Sequence, residues 1–430
     1  MKKALLFIIV LSCLLLNLSI GFAQDQAPVE LHFTVWTGNE AHLAMLNGFA
    51  TAFQETHPNV TVVFETIPFA DYASTLTLRL AGTNPPDAGW LAERTALTFI
   101  NAGVLSDLLP TLEATEGYDF ADFSPSALEL WSADGAVYGV PFSTSPGFII
   151  FNRDIFTAAG VTAPDELLRQ GEWTWESVAE IGAELTQDAP AGFYPLQQNL
   201  YVGEFWGAVM PYIWAYGGDA WTSDGECLLD SEGSVAGMQV LHDLIFESHV
   251  IPPPGEQVDF LSGQAAMTGG NLGQTLQLRD VGFEWGVVPL PAGPAGFLPV
   301  IGQAAIAAFN QSRHPEEAKD FIAFMTNAAG VATMSQFFPP ARLSVLDSEA
   351  FVTTHPVLDA EQMRSVVIAS SNAGRVLPAH PEFPKINLAA QAVFDTFLAP
   401  DADVAAVMSS MYGGRHLPSA APVPVVKVKV

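Results

Sequence analysis

The chain has 430 residues, of which 46 are acidic and 16 are basic, and its formal net charge at pH 7 is -30. So acidic a surface repels phosphate backbones and anionic lipids, which argues against roles in nucleic-acid binding and at membrane surfaces. The length is sufficient for two lobes, each with its own hydrophobic core.

The N-terminus has the pattern of an export signal. Lys2 and Lys3 precede an apolar stretch over residues 4–20, and Gly21-Phe22-Ala23 places small residues where signal peptidase cuts. We expect residues 1–23 to be removed, and the mature protein to begin at Gln24 outside the cytoplasm. Two alternatives stay open, namely a retained membrane anchor and lipidation at Cys13.

After such cleavage Cys227 is the only cysteine left in the chain. An intramolecular disulfide is therefore not expected, and packing has to supply the stability.

The first part of the chain alternates predicted strands and helices. Residues 31–36 form a first strand, and a helix begins at Asn39 and ends at His57. Residues 60–64 form the next strand, and Asp71 is expected to cap a second helix. This alternation predicts an α/β layer with a largely parallel sheet.

The most informative stretch is residues 136–160. The apolar run over residues 148–151 is too short for a helix and predicts a buried strand. A short helix follows and ends at Gly160.

Later elements continue the alternation. The pattern predicts a helix over residues 234–248, a strand over 286–291, and a helix over 315–326. The tail at residues 418–430 is either a last strand or a frayed end.

Residues 136–160 resemble the G-x-x-Y-G-x-P and Y-N-x-x-x-F-x-x-A-G segment of family 1 extracellular solute-binding proteins, with Phe151 where tyrosine is usual. Six shorter motifs, three before this stretch and three after it, occur in the family's order over nearly all of the mature chain. They are F-x-x-x-H-P, P-D, A-G-x-L, F-x-x-G-x-A-A-M, G-x-x-P-L-P and E-E-A-x-x-F-I. One such motif is weak evidence, whereas seven in order are strong evidence.

This resemblance implies a periplasmic-binding-protein type II fold of two discontinuous α/β lobes joined by a hinge. We expect the first lobe to comprise residues 24–142 plus 297–338, and the second 143–296 plus 339–430. The implied function is capture of a sugar or oligosaccharide in the cleft and delivery to the permease subunits of an ABC importer. We expect a monomer without cofactor, metal or catalytic activity.

Sequence motifs for other activities are absent. The chain has no G-x-G dinucleotide loop, no G-x-x-x-x-G-K-[ST] motif and no G-x-S-x-G elbow. His242 and His249, with Asp243 and Glu247 nearby, could hold a metal, but without a third ligand in view we interpret both as surface residues.

Tryptophans at predicted element ends suit stacking on the C–H faces of sugars. Trp36, Trp90, Trp206 and Trp221 have this placement, with a role in capping the core as the alternative. Trp173, Trp175 and Trp285 lie within helix-start or strand patterns and are expected in the core.

The resemblance and the tryptophan pattern together give the set of candidate ligand-binding residues. Its polar members are mostly amides and hydroxyls, which suit an uncharged polyol better than a phosphate or carboxylate. The turn Pro340-Ala341-Arg342 is a further candidate. The set is Trp36, Asn39, Glu40, Trp90, Glu93, Thr144, Ser145, Glu204, Trp206, Trp221, Asn271, Gln303, Phe383 and Asn387.

Two other functions fit the sequence. A secreted carbohydrate-active enzyme shares the export signal and an aromatic cleft, but the required pair of carboxylates cannot be identified from spacing alone. The second alternative function is that of a binding protein for a non-sugar solute.

Overall fold

The computed structural model describes residues 27–198, 205–222, 226–378 and 383–412. The predicted signal peptide, Glu204, the side chain of Phe383 and the tail at residues 418–430 lie outside what it describes. In the described ranges no helix combines the length and hydrophobicity that a bilayer span requires.

The strands form two main sheets and one short hairpin. In the described ranges they are β1 (Val29–Val35), β2 (Val60–Thr66), β3 (Ala88–Ala92), β4 (Ser132–Ala133), β5 (Ala136–Val137), β6 (Val140–Pro146), β7 (Phe148–Asn152), β8 (Tyr194–Gln197), β9 (Ala265–Gly270), β10 (Trp285–Val288) and β11 (Ile301–Ala308).

Helices connect and cover these strands. The α-helices of the described ranges are Glu40–Thr56, Phe69–Ala81, Glu93–Asn101, Leu109–Ala114, Pro125–Glu129, Arg153–Ala159, Pro164–Gln170, Trp175–Thr186, Phe205–Ala215, Glu232–Phe246, Leu272–Thr275, Pro315–Thr326, Ala328–Met334, Leu343–Leu346, Glu349–Thr354, Ala360–Gln362, Ala369–Ala373, Phe383–Phe397 and Val404–Tyr412. A π-helical segment spans Met363–Ile368, and short 3-10 helices span Phe120–Asp122 and Leu276–Leu278.

The first sheet has the strand order β2-β1-β3-β11-β6. β1 is parallel to β2 and β3, whereas β11 is antiparallel to β3 and β6. The predicted parallel sheet is therefore parallel only over its first three strands, because β11 returns from far along the chain.

The second sheet has the order β10-β7-β9-β8. β7 is buried along its whole length and lies antiparallel to both β10 and β9, while β8 is parallel to β9. The chain passes from one sheet to the other at Gly147, between the end of β6 and the start of β7. The predicted lobe boundary between Phe142 and Ser143 falls inside β6, because residues 143–146 still pair with β11.

Local signals explain several helix ends. Asn152 accepts hydrogen bonds from the backbone N–H groups of Asp154 and Ile155, and Gly160 ends the same helix with φ 69°. The expectation for Asp71 was wrong. That helix begins at Phe69 after Pro68, so Asp71 lies in its first turn, where its charge favours the N-terminal end of the helix dipole.

The turn that contains Arg342 packs against the core of the first sheet, to which its neighbour Ala341 belongs. Arg342 has no exposed surface, and its guanidinium donates hydrogen bonds to the backbone oxygens of Tyr118, Asp119 and Thr326. It also forms an ion pair with Asp122 at 3.2 Å. These contacts satisfy its donors inside the protein, so the side chain holds the turn in place.

Candidate ligand-binding cleft

A cavity of about 350 Å³ lies against the second sheet. Its walls come from the start of β7, the ends of β8 and β9, and the helix Phe205–Ala215. Gly147 and Val300 also line it, and the Gly147 N–H donates to the Val300 oxygen at 3.0 Å. The cavity therefore adjoins the crossing between the two sheets.

An aromatic pair forms part of the cavity wall. The rings of Trp175 and Tyr212 stack with centroids 4.1 Å apart and an interplanar angle of 30°. Thr174 caps the helix that begins at Trp175, and the Tyr212 hydroxyl donates to the Gln198 side-chain oxygen at 2.6 Å. Burial raises the pKa of Tyr212, so this hydroxyl keeps its proton at all physiological pH values.

The polar side chains of the wall are uncharged. Gln197, Gln198, Gln274 and Thr268 line the cavity, and over the described ranges no Lys, Arg, His, Asp or Glu side chain does. This set can exchange hydrogen bonds with hydroxyl groups.

The predicted Trp36 and Trp90 meet in an aromatic cluster of the first sheet. Their ring centroids are 5.1 Å apart, and Trp90 also contacts Phe142 and Phe338. Trp36 is half-buried, but only 1% of Trp90 is exposed. His42 extends the cluster at 5.0 Å from Phe338, and burial lowers its pKa.

Four other predicted residues come together on β6, β11 and the helix after β3. The Gln303 backbone N–H donates to the Glu93 carboxylate at 3.1 Å, and Gln303 pairs with Thr144 across the strands. Ser145 lies opposite Gly302. The Thr144 hydroxyl is directed to the backbone oxygens of residues 339 and 340, so it fastens the returning chain.

Two predicted asparagines cap helices. The Asn39 side-chain oxygen accepts from the backbone N–H groups of Ala41 and His42, with the exposed Glu40 in the first turn. Asn271 directly follows β9 and forms a capping box with Gln274. Capping accounts for an amide at each of these positions.

Three predicted residues from distant stretches form a second cluster. The Trp206 ring lies 5.6 Å from the Trp221 ring, and its N–H donates to the Asn387 side-chain oxygen at 3.1 Å. Both tryptophans are buried in the core beside the second sheet and do not line the cavity. The sequence thus predicted residues that meet, but the cavity is lined by others.

The sequence relationships agree with this architecture. The family model of bacterial extracellular solute-binding proteins matches residues 40–332, which is more than half of the chain. The chain is a bacterial extracellular solute-binding protein.

Relatives of this solute-binding protein are distant in sequence. It is 24% identical over 347 residues to an arabinooligosaccharide-binding protein of Halalkalibacterium halodurans, a match that covers 76% of this chain and 74% of the relative.

Solved structures of similar proteins show the same fold. An ABC substrate-binding protein from Listeria monocytogenes in complex with cycloalternan has a TM-score of 0.75 at 23% identity, over 89% of this chain and 97% of that one. UgpB from Mycobacterium tuberculosis in complex with glycerophosphocholine has a TM-score of 0.74 at 22% identity, over 90% and 97%. The predicted type II periplasmic-binding-protein fold is confirmed.

Six indole N–H groups of this solute-binding protein fall into two classes. Those of Trp131, Trp173, Trp206 and Trp214 donate to protein oxygens at 2.8 to 3.2 Å. Those of Trp90 and Trp175 are buried without an acceptor in the described part of the chain. Both rings have aromatic neighbours, since Trp90 lies 4.9 Å from Phe142 and Trp175 stacks on Tyr212.

The two histidines considered for a metal differ in exposure, since His249 is exposed and His242 is buried. His242 is buried rather than on the surface, and its ring bonds to the Ala399 backbone oxygen at 3.0 Å. Over the described ranges no group of three or more His, Cys, Asp and Glu side chains could hold a metal ion.

Proposed function

We propose that this protein captures an uncharged sugar or oligosaccharide in the cleft between its lobes and delivers it to an ABC importer without altering it. The observation that carries the proposal is the cavity beside the crossing at Gly147. It combines a stacked aromatic pair with amide and hydroxyl groups and lacks charged side chains over the described ranges. Aromatic faces pack on sugar C–H groups, and amides bond their hydroxyls.

Transport follows from a difference in affinity between two conformations. A sugar that contacts both lobes binds the closed form more tightly than the open form, and this difference drives the hinge. An affinity in the micromolar range, about -8 kcal/mol, allows both capture and release. We further propose that the chain is exported by residues 1–23 and acts as a monomer with permease subunits as partners.

The relatives motivate the choice of ligands to test. Arabinotriose and maltotriose represent the oligosaccharides, and glycerophosphocholine represents the non-sugar alternative. A thermal-shift screen should show stabilisation by a sugar, about 2.7 kcal/mol at 100 times its Kd. Stabilisation by glycerophosphocholine alone would contradict the sugar assignment.

A second assay addresses the enzyme alternative. The bound oligosaccharide should be recovered intact after prolonged incubation, with no new reducing ends. Release of shorter sugars would instead identify a carbohydrate-active enzyme.

A further inference from the structure

We propose that the cavity wall of the second sheet is a hydrogen-bond donor surface, on which the side-chain NH₂ groups of Gln197 and Gln274 bind oxygen atoms of a neutral sugar unit. The inference rests on the proposed function and adds to it which ligand atoms this wall recognises. The sugar oxygens act there as acceptors.

The orientation of both amides is fixed by the protein. The Gln197 side-chain oxygen accepts from the Phe260 backbone N–H at 3.0 Å. The Gln274 side-chain oxygen accepts from the Asn271 backbone N–H at 3.0 Å, as part of the capping box. A backbone N–H can only donate, so a flipped amide would place two donors against each other.

The nitrogen atoms are the groups left for a ligand. Within the described parts of the chain, the NH₂ groups of Gln197 and Gln274 donate to no protein acceptor, although both residues line the cavity. Gln198 has less hydrogen-bonding capacity left for a ligand than Gln197 and Gln274 have. Its oxygen accepts from the Tyr212 hydroxyl and its nitrogen donates to the Ala208 oxygen at 3.1 Å, which leaves one N–H.

This arrangement favours a particular ligand chemistry. Ring, glycosidic and hydroxyl oxygens of a sugar all accept hydrogen bonds from amide N–H groups. A uronic acid carboxylate would also accept, but it would lose its hydration without a cationic partner among the described residues of the wall. The net charge of -30 adds repulsion for such an anion. The wall therefore selects a neutral sugar unit.

Glutamine-to-glutamate exchange tests the donors without removing the structural hydrogen bonds. Gln274→Glu and Gln197→Glu each keep an oxygen for the backbone N–H and replace the NH₂ donor by a carboxylate oxygen. Glutamate is as suitable as glutamine at this capping-box position. Gln362 provides the matched control, because it forms the same capping box with Asp359 and does not line the cavity.

Calorimetry with arabinotriose and maltotriose gives the readout, with unfolding curves to confirm that each variant folds. For the sugar that the wild-type chain binds, Gln274→Glu and Gln197→Glu should raise the Kd about tenfold or more, since each loses a donor and faces sugar oxygens with negative charge. Gln362→Glu should stay within twofold of the wild type.

The outcomes separate this inference from the proposed function. Wild-type binding that both cavity variants retain would overturn the donor wall and leave sugar binding intact. Tighter wild-type binding of digalacturonate than of the neutral sugars would overturn the selection of a neutral unit. A wild-type chain that binds none of these sugars would contradict both proposals.

Discussion

The aromatic cluster of the first sheet and the cavity wall of the second sheet contain similar residue types that have different roles. In the first-sheet region, the Thr144 hydroxyl is directed to the backbone oxygens of residues 339 and 340. At the cavity, Gln197 and Gln274 use their oxygens internally and keep their NH₂ groups available. A polar side chain near the crossing is available to a ligand when it lines the cavity and part of its hydrogen-bonding capacity is left over.

The largest expected effect concerns Arg342, whose hydrogen bonds are all internal. Arg342→Ala removes the partner of Asp122 and leaves backbone oxygens of Tyr118, Asp119 and Thr326 without their donor. The free energy of unfolding in urea should fall by about 3 to 5 kcal/mol.

Arg364→Ala is the control for this substitution, since the Arg364–Glu349 pair is exposed. It should change stability by about 1 kcal/mol or less. Equal effects of the two substitutions would show that Arg342 is not structural.

The next effect concerns Trp36, the half-buried member of the first-sheet cluster. Trp36→Ala should weaken sugar binding by about 1 to 3 kcal/mol in calorimetry, because stacking removes apolar surface of both partners from water. Trp285 is also half-buried at a strand end, but it does not line the cavity. If Trp36→Ala binds sugar as Trp285→Ala does, the first-sheet cluster is not part of the site.

A smaller effect distinguishes two neighbouring tryptophans. Trp173→Phe breaks the hydrogen bond to the Pro289 oxygen at 2.8 Å, whereas Trp175→Phe breaks none within the described part of the chain. Urea unfolding should therefore find Trp173→Phe less stable than Trp175→Phe by about 1 kcal/mol. Sugar affinity should decrease only for Trp175→Phe, since Trp175 lines the cavity. The reverse order of stability would contradict the assignment of Trp173 as the hydrogen-bonded indole. The reverse order of sugar affinity would contradict the assignment of Trp175 as the cavity-lining one.

The smallest effect concerns His355, whose protonation should change the stability of the fold with pH but leave sugar affinity unchanged. Burial, with Arg279 nearby, lowers the pKa of His355 to about 4 from the usual 6.5. Between these two values the unfolded chain binds a proton that the folded chain does not, so this stability is complete above pH 6.5 and is lost as the pH falls to about 4. Allowing for solvent screening, the loss is about 1 kcal/mol.

His355→Asn should flatten that part of the stability profile, because an asparagine oxygen can still accept the Leu358 N–H without titrating. Sugar affinity should stay constant over the same pH range, since the described cavity wall has no group that titrates there. An affinity that follows the His355 profile would mean that the two regions are coupled.

Much of the fold could be predicted from local pattern. The helix at residues 315–326 has the predicted bounds, and Phe321, Ile322 and Met325 are buried on its inner face, because amphipathic spacing encodes which face packs. The strand at residues 148–151 was likewise identified by its apolar run. Trp173 and Trp175 are in the core as expected.

The site was harder to predict because its residues carry weak local signals. Gln274 has the pattern of a capping residue, and Trp175 that of a core residue at a helix start, yet both line the cavity. Trp206, Trp221 and Asn387 meet through long-range packing, which spacing along the chain does not encode. Which polar atoms stay unbonded is decided by tertiary contacts.

A crystal structure of the chain with the tightest-binding neutral oligosaccharide tests the central claim most directly. The sugar should lie in the cavity beside Gly147, against Trp175 and Tyr212, with its oxygens 2.7 to 3.2 Å from the side-chain nitrogens of Gln197 and Gln274. A sugar bound elsewhere, or one that leaves both nitrogens without a ligand oxygen, would contradict the account.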